Sequence, residues 1–160
     1  MHAKVYFISD LHLGHDNILL FERDYREGED IEEHDQWLID SWNSIVNAKD
    51  IVYVLGDVAW TRAGLNKLKQ LKGNKNLIMG NHDKYFVDEY MAQGFRVRPG
   101  VMKYKEFWLS HAPIHPAELR GLKNIHGHVH ENTLDDPRYI NVCVEPLDGT
   151  PMYLEDIRAL

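Results

Sequence analysis

The stretch "DIVYVLGD", residues 50–57, joins a run of apolar residues to a glycine and a carboxylate. Its β-branched and aromatic residues predict a buried strand. The last residue, Asp57, then lies at the carboxyl end of that strand. In layered α/β proteins, ligand sites form at the carboxyl ends of strands. This stretch therefore predicts a buried strand and a candidate site residue together.

Four further apolar runs end in the same way, with Asp, Asn or His close to the last apolar position. The runs are KVYFIS (4–9), NLIMGNHD (76–83), FWLSHAP (107–113) and GLKNIHGHVH (121–130). The polar residues that end the five runs are Asp10, His12, Asp57, Asn81, His82, His111, His128 and His130. We expect the five strand ends to converge on one face of the molecule.

The segments between these runs predict the remaining elements. Apolar residues at helical spacing predict helices over 35–46, around 65–71 and over roughly 84–93. Short strands are predicted over 95–99, 101–105 and 138–145, whereas the acidic segment 22–35 predicts an exposed loop that runs into a helix. Strands alternate with helices early and cluster late, which indicates a layered α/β fold with mixed sheets.

The composition predicts a globular protein with one domain over residues 1–160. A net charge of −7 argues against a non-specific nucleic-acid binder, so no stable nucleic-acid complex is expected. The single cysteine, Cys143, excludes an internal disulfide. Neither a membrane span nor a signal peptide is expected, which predicts a cytoplasmic protein without a membrane partner and leaves its oligomeric state open.

The residues at the strand ends suit a metal centre. Seven of them, all except His82, offer nitrogen or oxygen ligands, which is more than one tetrahedral zinc site takes. Two ions would use all seven if one carboxylate bridges them, and Asp57 is the natural bridge because it stands alone at its strand end. This mixture of ligands favours two divalent ions, manganese first, with iron, zinc or nickel as alternatives.

The polar blocks "DLH" (10–12), "GD" (56–57), "GNHD" (80–83), "SH" (110–111) and "GHVH" (127–130) occur in an order that resembles the calcineurin-like metallophosphoesterases. The resemblance covers almost the whole chain. Further stretches, among them "HDNILLF" (15–21) and "HPAELRG" (115–121), are similar to a small phage- and bacterium-type subgroup. The fold implied is a four-layer α-β-β-α sandwich, in which two mixed sheets lie between outer helices.

The resemblance also implies roles for the residues of the blocks. The first metal would be held by Asp10, His12, Asp57 and His130, and the second by Asp57, Asn81, His111 and His128. A hydroxide that bridges the metals would attack phosphorus. His82 would donate a proton to the leaving group or stabilise the phosphoryl oxygens. Asp83 would orient His82, or alternatively cap the helix that follows.

For residues outside the ligand set, the sequence gives weaker evidence of a functional role. His15 and Asn17 follow the first block closely and are candidate contacts to the substrate. Arg62 could meet a phosphate, although an arginine at the solvated start of a helix is the alternative. His126 is not expected to bind metal, and Trp60 is expected in the core, with base stacking left open.

The sequence therefore predicts a metal-dependent phosphodiesterase that acts on a small or nucleotide-type phosphate ester. A phosphomonoesterase is the alternative within the same chemistry. A metal-binding scaffold without turnover is a third hypothesis, which the complete ligand set and the presence of His82 disfavour.

Overall fold

A computed structural model describes residues 2–160 of the chain. Its first sheet has five strands in the spatial order β4-β3-β2-β1-β9. These are β1 (Val5–Ile8), β2 (Ile51–Val54), β3 (Asn74–Leu77), β4 (Phe95–Val97) and β9 (Met152–Tyr153). The first four strands run parallel, and β9 pairs antiparallel with β1.

The second sheet has four strands in the order of the chain. These are β5 (Val101–Tyr104), β6 (Phe107–Ser110), β7 (Lys123–His126) and β8 (Tyr139–Asn141). Strands β5 and β6 pair antiparallel, whereas β6, β7 and β8 run parallel. Both sheets are therefore mixed and helices flank them, which confirms the predicted α/β fold class.

The helices are α1 (Ile18–Phe21), α2 (Ile31–Ile45), α3 (Arg62–Lys67), α4 (Val87–Ala92), α5 (Val144–Leu147) and α6 (Leu154–Arg158). Short 3-10 turns cover Leu68–Gln70 and Pro116–Glu118. Helix α2 begins after Asp30, whose carboxylate accepts a hydrogen bond from the Glu33 N–H and so satisfies one free donor of the first turn. Within residues 2–160, every helix is too short or too polar to cross a lipid bilayer.

Alternating side chains of the first sheet build two apolar layers. Tyr6 and Ile8 of β1 join Trp42 of α2 in the cluster that covers the outer face. Val5 and Phe7 point the other way, into the cluster between the two sheets. The alternation follows from the two-residue period of a strand, so burial of both faces fixes which way every strand residue points.

The register of the strands brings their ends level. Ile8 pairs with Val54, and Val54 pairs with Leu77, so the segments after β1, β2 and β3 leave the sheet side by side. The chain after β1 also meets the second sheet, because the Ser9 N–H donates to the carbonyl of Val142 at 2.8 Å. The carboxyl ends of strands from both sheets therefore meet at one place.

Some predicted bounds were wrong. The predicted strand 138–145 ends at Asn141, and residues 144–147 form a helix instead, because the Val144 N–H donates to Ser9 across the sheets. The predicted strand 76–83 begins earlier, at Asn74, and ends at Leu77. The predicted loop 22–35 becomes helical at Ile31. Helices α1 and α6 and strand β9 were not predicted, since they are two to five residues long.

Candidate metal centre

The five strand ends converge, and all seven predicted ligand residues lie together. Ligand atoms of Asp10, His12 and His130 lie within 4.8 Å of one another, and so do those of Asp57, His111 and His128. Asn81 joins the second group, with its Oδ1 at 2.9 Å from His111 Nε2. Asp57 Oδ2 lies 3.6 Å from His12 Nε2 and 3.4 Å from His111 Nε2, so this carboxylate stands between the two groups.

Two buried atoms of the first group have no hydrogen-bond partner within residues 2–160. They are Asp10 Oδ1 and His12 Nε2, which lie 3.5 Å apart. A buried polar atom without a partner is costly, and native proteins rarely keep one without a reason. The two atoms are a carboxylate oxygen and an imidazole nitrogen, both ligands of divalent ions. This pair therefore fits a bound cation.

Two histidines are oriented through one ring nitrogen, so that the other ring nitrogen faces the carboxylates of the centre. The Nδ1–H of His111 donates to the Leu55 carbonyl at 2.6 Å, which leaves Nε2 facing Asp57. His130 Nδ1 lies 3.1 Å from Glu145 Oε1, and its Nε2 lies 3.7 Å from Asp10 Oδ1. A hydrogen bond to the outer nitrogen fixes the tautomer and orientation of a histidine that binds metal.

The charges of the group favour a cation. Burial lowers the pKa of His111, but the nearby carboxylates of Asp57 and Asp10 outweigh burial and raise that pKa to about 9. Burial likewise opposes the protonated form of His130, yet the contact with Glu145 raises its pKa. The pKa of Asp10 is lowered despite complete burial, because His12 and His111 stabilise the carboxylate. The protonated forms of His111 and His130 are therefore favoured, whereas burial lowers the pKa of His12.

The backbone at the centre is strained. Eight non-glycine residues among the described ones have positive φ angles, and five of the eight are predicted ligands. Those five are Asp10 (61°), His12 (53°), Asp57 (55°), His128 (74°) and His130 (53°). The left-handed region is sparsely populated by such residues and tends to be occupied at functional sites, where the surrounding structure enforces it.

Two glycines let the loops approach the carboxylates closely. A Cβ on Gly80 would lie 2.8 Å from the Asp57 backbone nitrogen and would collide with the Asp57 carboxylate. A Cβ on Gly127 would lie 2.6 Å from Ser9 Cβ and would collide with the Asp10 carboxylate. Both positions therefore require a residue without a side chain.

Asp83 has a different role from both that were predicted. Its carboxylate accepts hydrogen bonds from the backbone N–H groups of Asp57 at 2.7 Å, Val58 at 3.0 Å and Gly80 at 2.7 Å. The helix cap is Phe86, so the predicted capping role is wrong. No hydrogen bond among residues 2–160 joins the Asp83 carboxylate to the His82 ring. Asp83 instead ties the loop after β2 to the loop after β3, as a positioning residue.

His82 lies at the rim of the centre. Its backbone N–H donates to Asp57 Oδ1 at 2.9 Å, and its side chain is exposed. The ring centroid lies 6.0 Å from that of His12 and 4.5 Å from that of Trp60. A group in this position can reach a substrate bound over the ligand residues.

Sequence reasoning missed a buried arginine in the segment predicted to be an exposed loop. The Arg26 side chain is 0% exposed, and its Nε donates to Glu145 Oε2 at 2.7 Å. Its two Nη atoms donate to the carbonyls of Asp10 at 2.6 Å and Leu11 at 2.9 Å. Arg26 thus holds the strained loop after β1 and the carboxylate that orients His130.

The buried network continues into α2 and α3. His34 Nε2 lies 3.1 Å from Arg26 Nη1, and His34 Nδ1 lies 2.9 Å from Asp35 Oδ1. The other oxygen of Asp35 accepts from the Gly14 N–H at 2.9 Å and from Lys67 Nζ at 2.7 Å. The contacts of Asp35 with Gly14 and Lys67 could not have been read from a local pattern, because these partners lie 21 and 32 residues away.

The remaining predicted residues lie at different distances from the centre. His15 is buried with its Nδ1 at 3.2 Å from His12 Nδ1, whereas Asn17 is exposed just before α1. Arg62 pairs with Glu89 at 2.9 Å and lies over a tyrosine ring, which favours the alternative of an arginine at a helix start. His126 is buried and belongs to neither of the two ligand groups around Asp10 and Asp57. The substrate roles of His15, Asn17 and Arg62 stay predictions.

Comparison with known proteins identifies the class. The family model of the calcineurin-like phosphoesterases matches residues 3–157, and the chain belongs to this family. Protein MJ1445 of Methanocaldococcus jannaschii is 35% identical over 166 residues, which cover 95% of this chain and 88% of that protein. The gene 66 protein of Mycobacterium phage D29 is 32% identical over 199 residues, which cover 97% of this chain and 98% of that protein. The crystal structure of AQ665 from Aquifex aeolicus has a TM-score of 0.77 at 27% identity and covers 99% of each chain.

Proposed function

We propose that this phosphoesterase is a phosphodiesterase that acts on small, nucleotide-type esters with two divalent ions. The observation that supports the proposal best is the position of Asp57 between two groups of ligand atoms, with His82 at the rim. Asp10, His12 and His130 would hold the first ion, Asn81, His111 and His128 the second, and Asp57 both. When bound, such ions polarise the phosphoryl group and lower the pKa of the attacking water.

His82 is proposed as the proton donor to the leaving oxygen. Its backbone N–H is anchored to Asp57, so its position relative to the ligand groups is fixed. Its ring is free of hydrogen bonds to protein groups among residues 2–160 and is exposed to solvent, which lets it exchange its proton. General acid catalysis of this kind contributes typically about 10²–10⁴-fold.

The charges around the centre favour a diester over a monoester. Glu22 and Glu145 lie 3.9 Å and 3.1 Å from His130 Nδ1, and burial raises the pKa of Glu22 to about 7. Arg26 and Arg62 are both engaged by glutamates. A diester has one negative charge and a monoester at neutral pH has close to two, and neither of these arginines is free to neutralise the second charge, which supports the diester. The net charge of −7 disfavours a long nucleic acid.

The test is hydrolysis of bis-p-nitrophenyl phosphate beside p-nitrophenyl phosphate by protein that has been stripped and reloaded with Mn²⁺. We expect faster cleavage of the diester and a loss of about 10²-fold or more in His82→Ala, with Mn²⁺ binding retained. Turnover of the monoester alone would favour the phosphomonoesterase. Tight Mn²⁺ binding without turnover of either ester would favour the scaffold.

A further inference from the structure

A row of aromatic rings runs from the ligand residues to the surface. His15 Nδ1 lies 3.2 Å from His12 Nδ1, and the His15 ring stacks on Trp60 with centroids 3.8 Å apart and planes at 8°. On its other side His15 meets Phe21, with centroids 6.2 Å apart. His15 is buried, whereas Phe21 is 68% exposed. The row therefore ends in Phe21, an aromatic side chain that is exposed to solvent.

This exposed aromatic ring is unusual beside a polar centre. Leu20, next to Phe21 in α1, is 70% exposed, so two large apolar side chains adjoin in a four-residue helix. Isolated exposed apolar residues are ordinary, but an apolar patch beside a cleft indicates a surface that binds something. Among the ways to cover it, an apolar portion of the substrate requires no further component.

The position of His82 indicates which part of the substrate lies along this row. His82, as the proposed proton donor, must contact the leaving oxygen, and its ring lies 4.5 Å from Trp60. The organic part of the leaving group therefore lies beside Trp60, from which the row leads through His15 to Phe21.

We infer that the leaving group is a nucleoside or another planar aromatic alcohol, whose ring packs against Trp60 and Phe21. This inference rests on the proposed function. Water supplies a hydroxyl group to phosphorus, the bond to the leaving oxygen breaks, and that oxygen takes a proton from His82. The products are a phosphomonoester and a nucleoside.

Packing against flat rings predicts which leaving groups the site accepts. His15 stacks on Trp60, and Phe21 presents an exposed ring at the end of the row. Stacking of a base on an aromatic side chain tolerates any base, because every base has a flat face. Selectivity for an aromatic leaving group with little choice among the bases follows.

The experiment compares a dinucleoside phosphate, diuridine phosphate, with the aliphatic diester bis-glyceryl phosphate. The variants are Phe21→Ala and Trp60→Leu, and Phe86→Ala is the control because Phe86 is 80% exposed and has no place in this row. We expect Phe21→Ala to lower kcat/KM for diuridine phosphate about tenfold and that for bis-glyceryl phosphate by much less. Trp60→Leu also removes a contact of His82, so its expected effect is a lower ratio of the two kcat/KM values. Phe86→Ala should change neither.

A second readout does not depend on turnover. Titration calorimetry with the Mn²⁺-loaded protein should give tighter binding of uridine than of glycerol, the two leaving alcohols, and Phe21→Ala should remove the difference. Equal binding of the two alcohols, or equal losses on both diesters, would overturn the inference and leave the phosphodiesterase proposal intact. Selective nucleoside binding without hydrolysis of either diester would overturn the proposed function alone.

Discussion

The two oxygens of Asp10 have separate tasks. Oδ2 accepts from Ser9 Oγ at 2.6 Å and from the His128 N–H at 2.8 Å, and Cys143 Sγ lies 3.3 Å from it. Oδ1 faces His12 and has no partner within residues 2–160. One oxygen thus fixes the carboxylate in place, and the other is free to bind a cation without any rearrangement of the side chain.

The protonation of His111 makes metal binding dependent on pH. Its pKa is about 9 without a cation, so the ring holds a proton at neutral pH that a metal must displace. We expect Mn²⁺ to bind more tightly as the pH rises toward about 9 and to release protons on binding. Calorimetry in two buffers of different ionisation enthalpy measures the release, and identical heats in both would contradict it.

Asp83 is the residue whose removal should most disturb the loops without removing a proposed ligand. Asp83→Ala leaves three backbone N–H groups without their acceptor, and a buried donor without a partner costs about 1–3 kcal/mol. We expect the free energy of unfolding in urea to fall by about 3 kcal/mol or more. Asp24→Ala, an exposed control, should leave it unchanged. Equal stability of the two variants would show that the loops do not depend on Asp83.

At the scale of the element, apolar runs followed by polar residues were predictable, because both features lie within ten residues. The strands at 5–8, 51–54 and 107–110 and the residues after them followed directly from this pattern. The helix at 144–147 was not predicted, because it directly follows the apolar residues of a strand, and its first N–H donates to Ser9, which is distant in sequence. Arg26 escaped prediction for the same reason, since its partner Glu145 is 119 residues away.

The turn after β7 depends on Gly127. Gly127→Ala places a methyl group against Ser9 and Asp10, so the turn must move away from β1 and draw His128 with it. We expect Mn²⁺ affinity, measured by calorimetry, to fall at least about tenfold, as changes beside metal ligands commonly do. Gly100→Ala is the matched control, because its Cβ would meet no atom within 4 Å. Unchanged affinity in Gly127→Ala would mean that the turn is not held at this position.

The link between α5 and the chain after β1 depends on a buried ion pair. Arg26→Met leaves the Glu145 carboxylate buried without its cation, and breaking such a pair costs about 3–5 kcal/mol. The double variant Arg26→Met, Glu145→Gln removes both charges and should recover part of the loss. Urea unfolding measures the free energy of unfolding of both variants. A double variant less stable than Arg26→Met would contradict the pairing.

At the scale of the whole molecule, the proposed centre concentrates carboxylates and strained backbone in a protein whose net charge is −7. Divalent ions relieve both the repulsion between the carboxylates and the cost of unpartnered ligand atoms. The centre therefore contributes to stability as well as to chemistry once it is filled.

Metal loading should stabilise the folded chain. A ligand at 100 times its Kd adds about 2.7 kcal/mol per site, so filling both proposed sites with Mn²⁺ should raise the Tm of the stripped protein by about 10–20 °C. Excess EDTA should reverse the shift. Differential scanning calorimetry measures it, and an unchanged Tm with Mn²⁺, Zn²⁺ and Ni²⁺ would rule out the proposed centre.

The contact between Ser9 and the chain after β8 also sets the order of events during synthesis. The Asp10 carboxylate accepts hydrogen bonds from the main-chain N–H of His128 and from the thiol of Cys143. The His130 ring is oriented by Glu145. A nascent chain that has emerged only as far as Asn81 displays four donor residues without the geometry that makes them a site. The proposed centre therefore cannot be complete before the chain has been synthesised as far as residue 145.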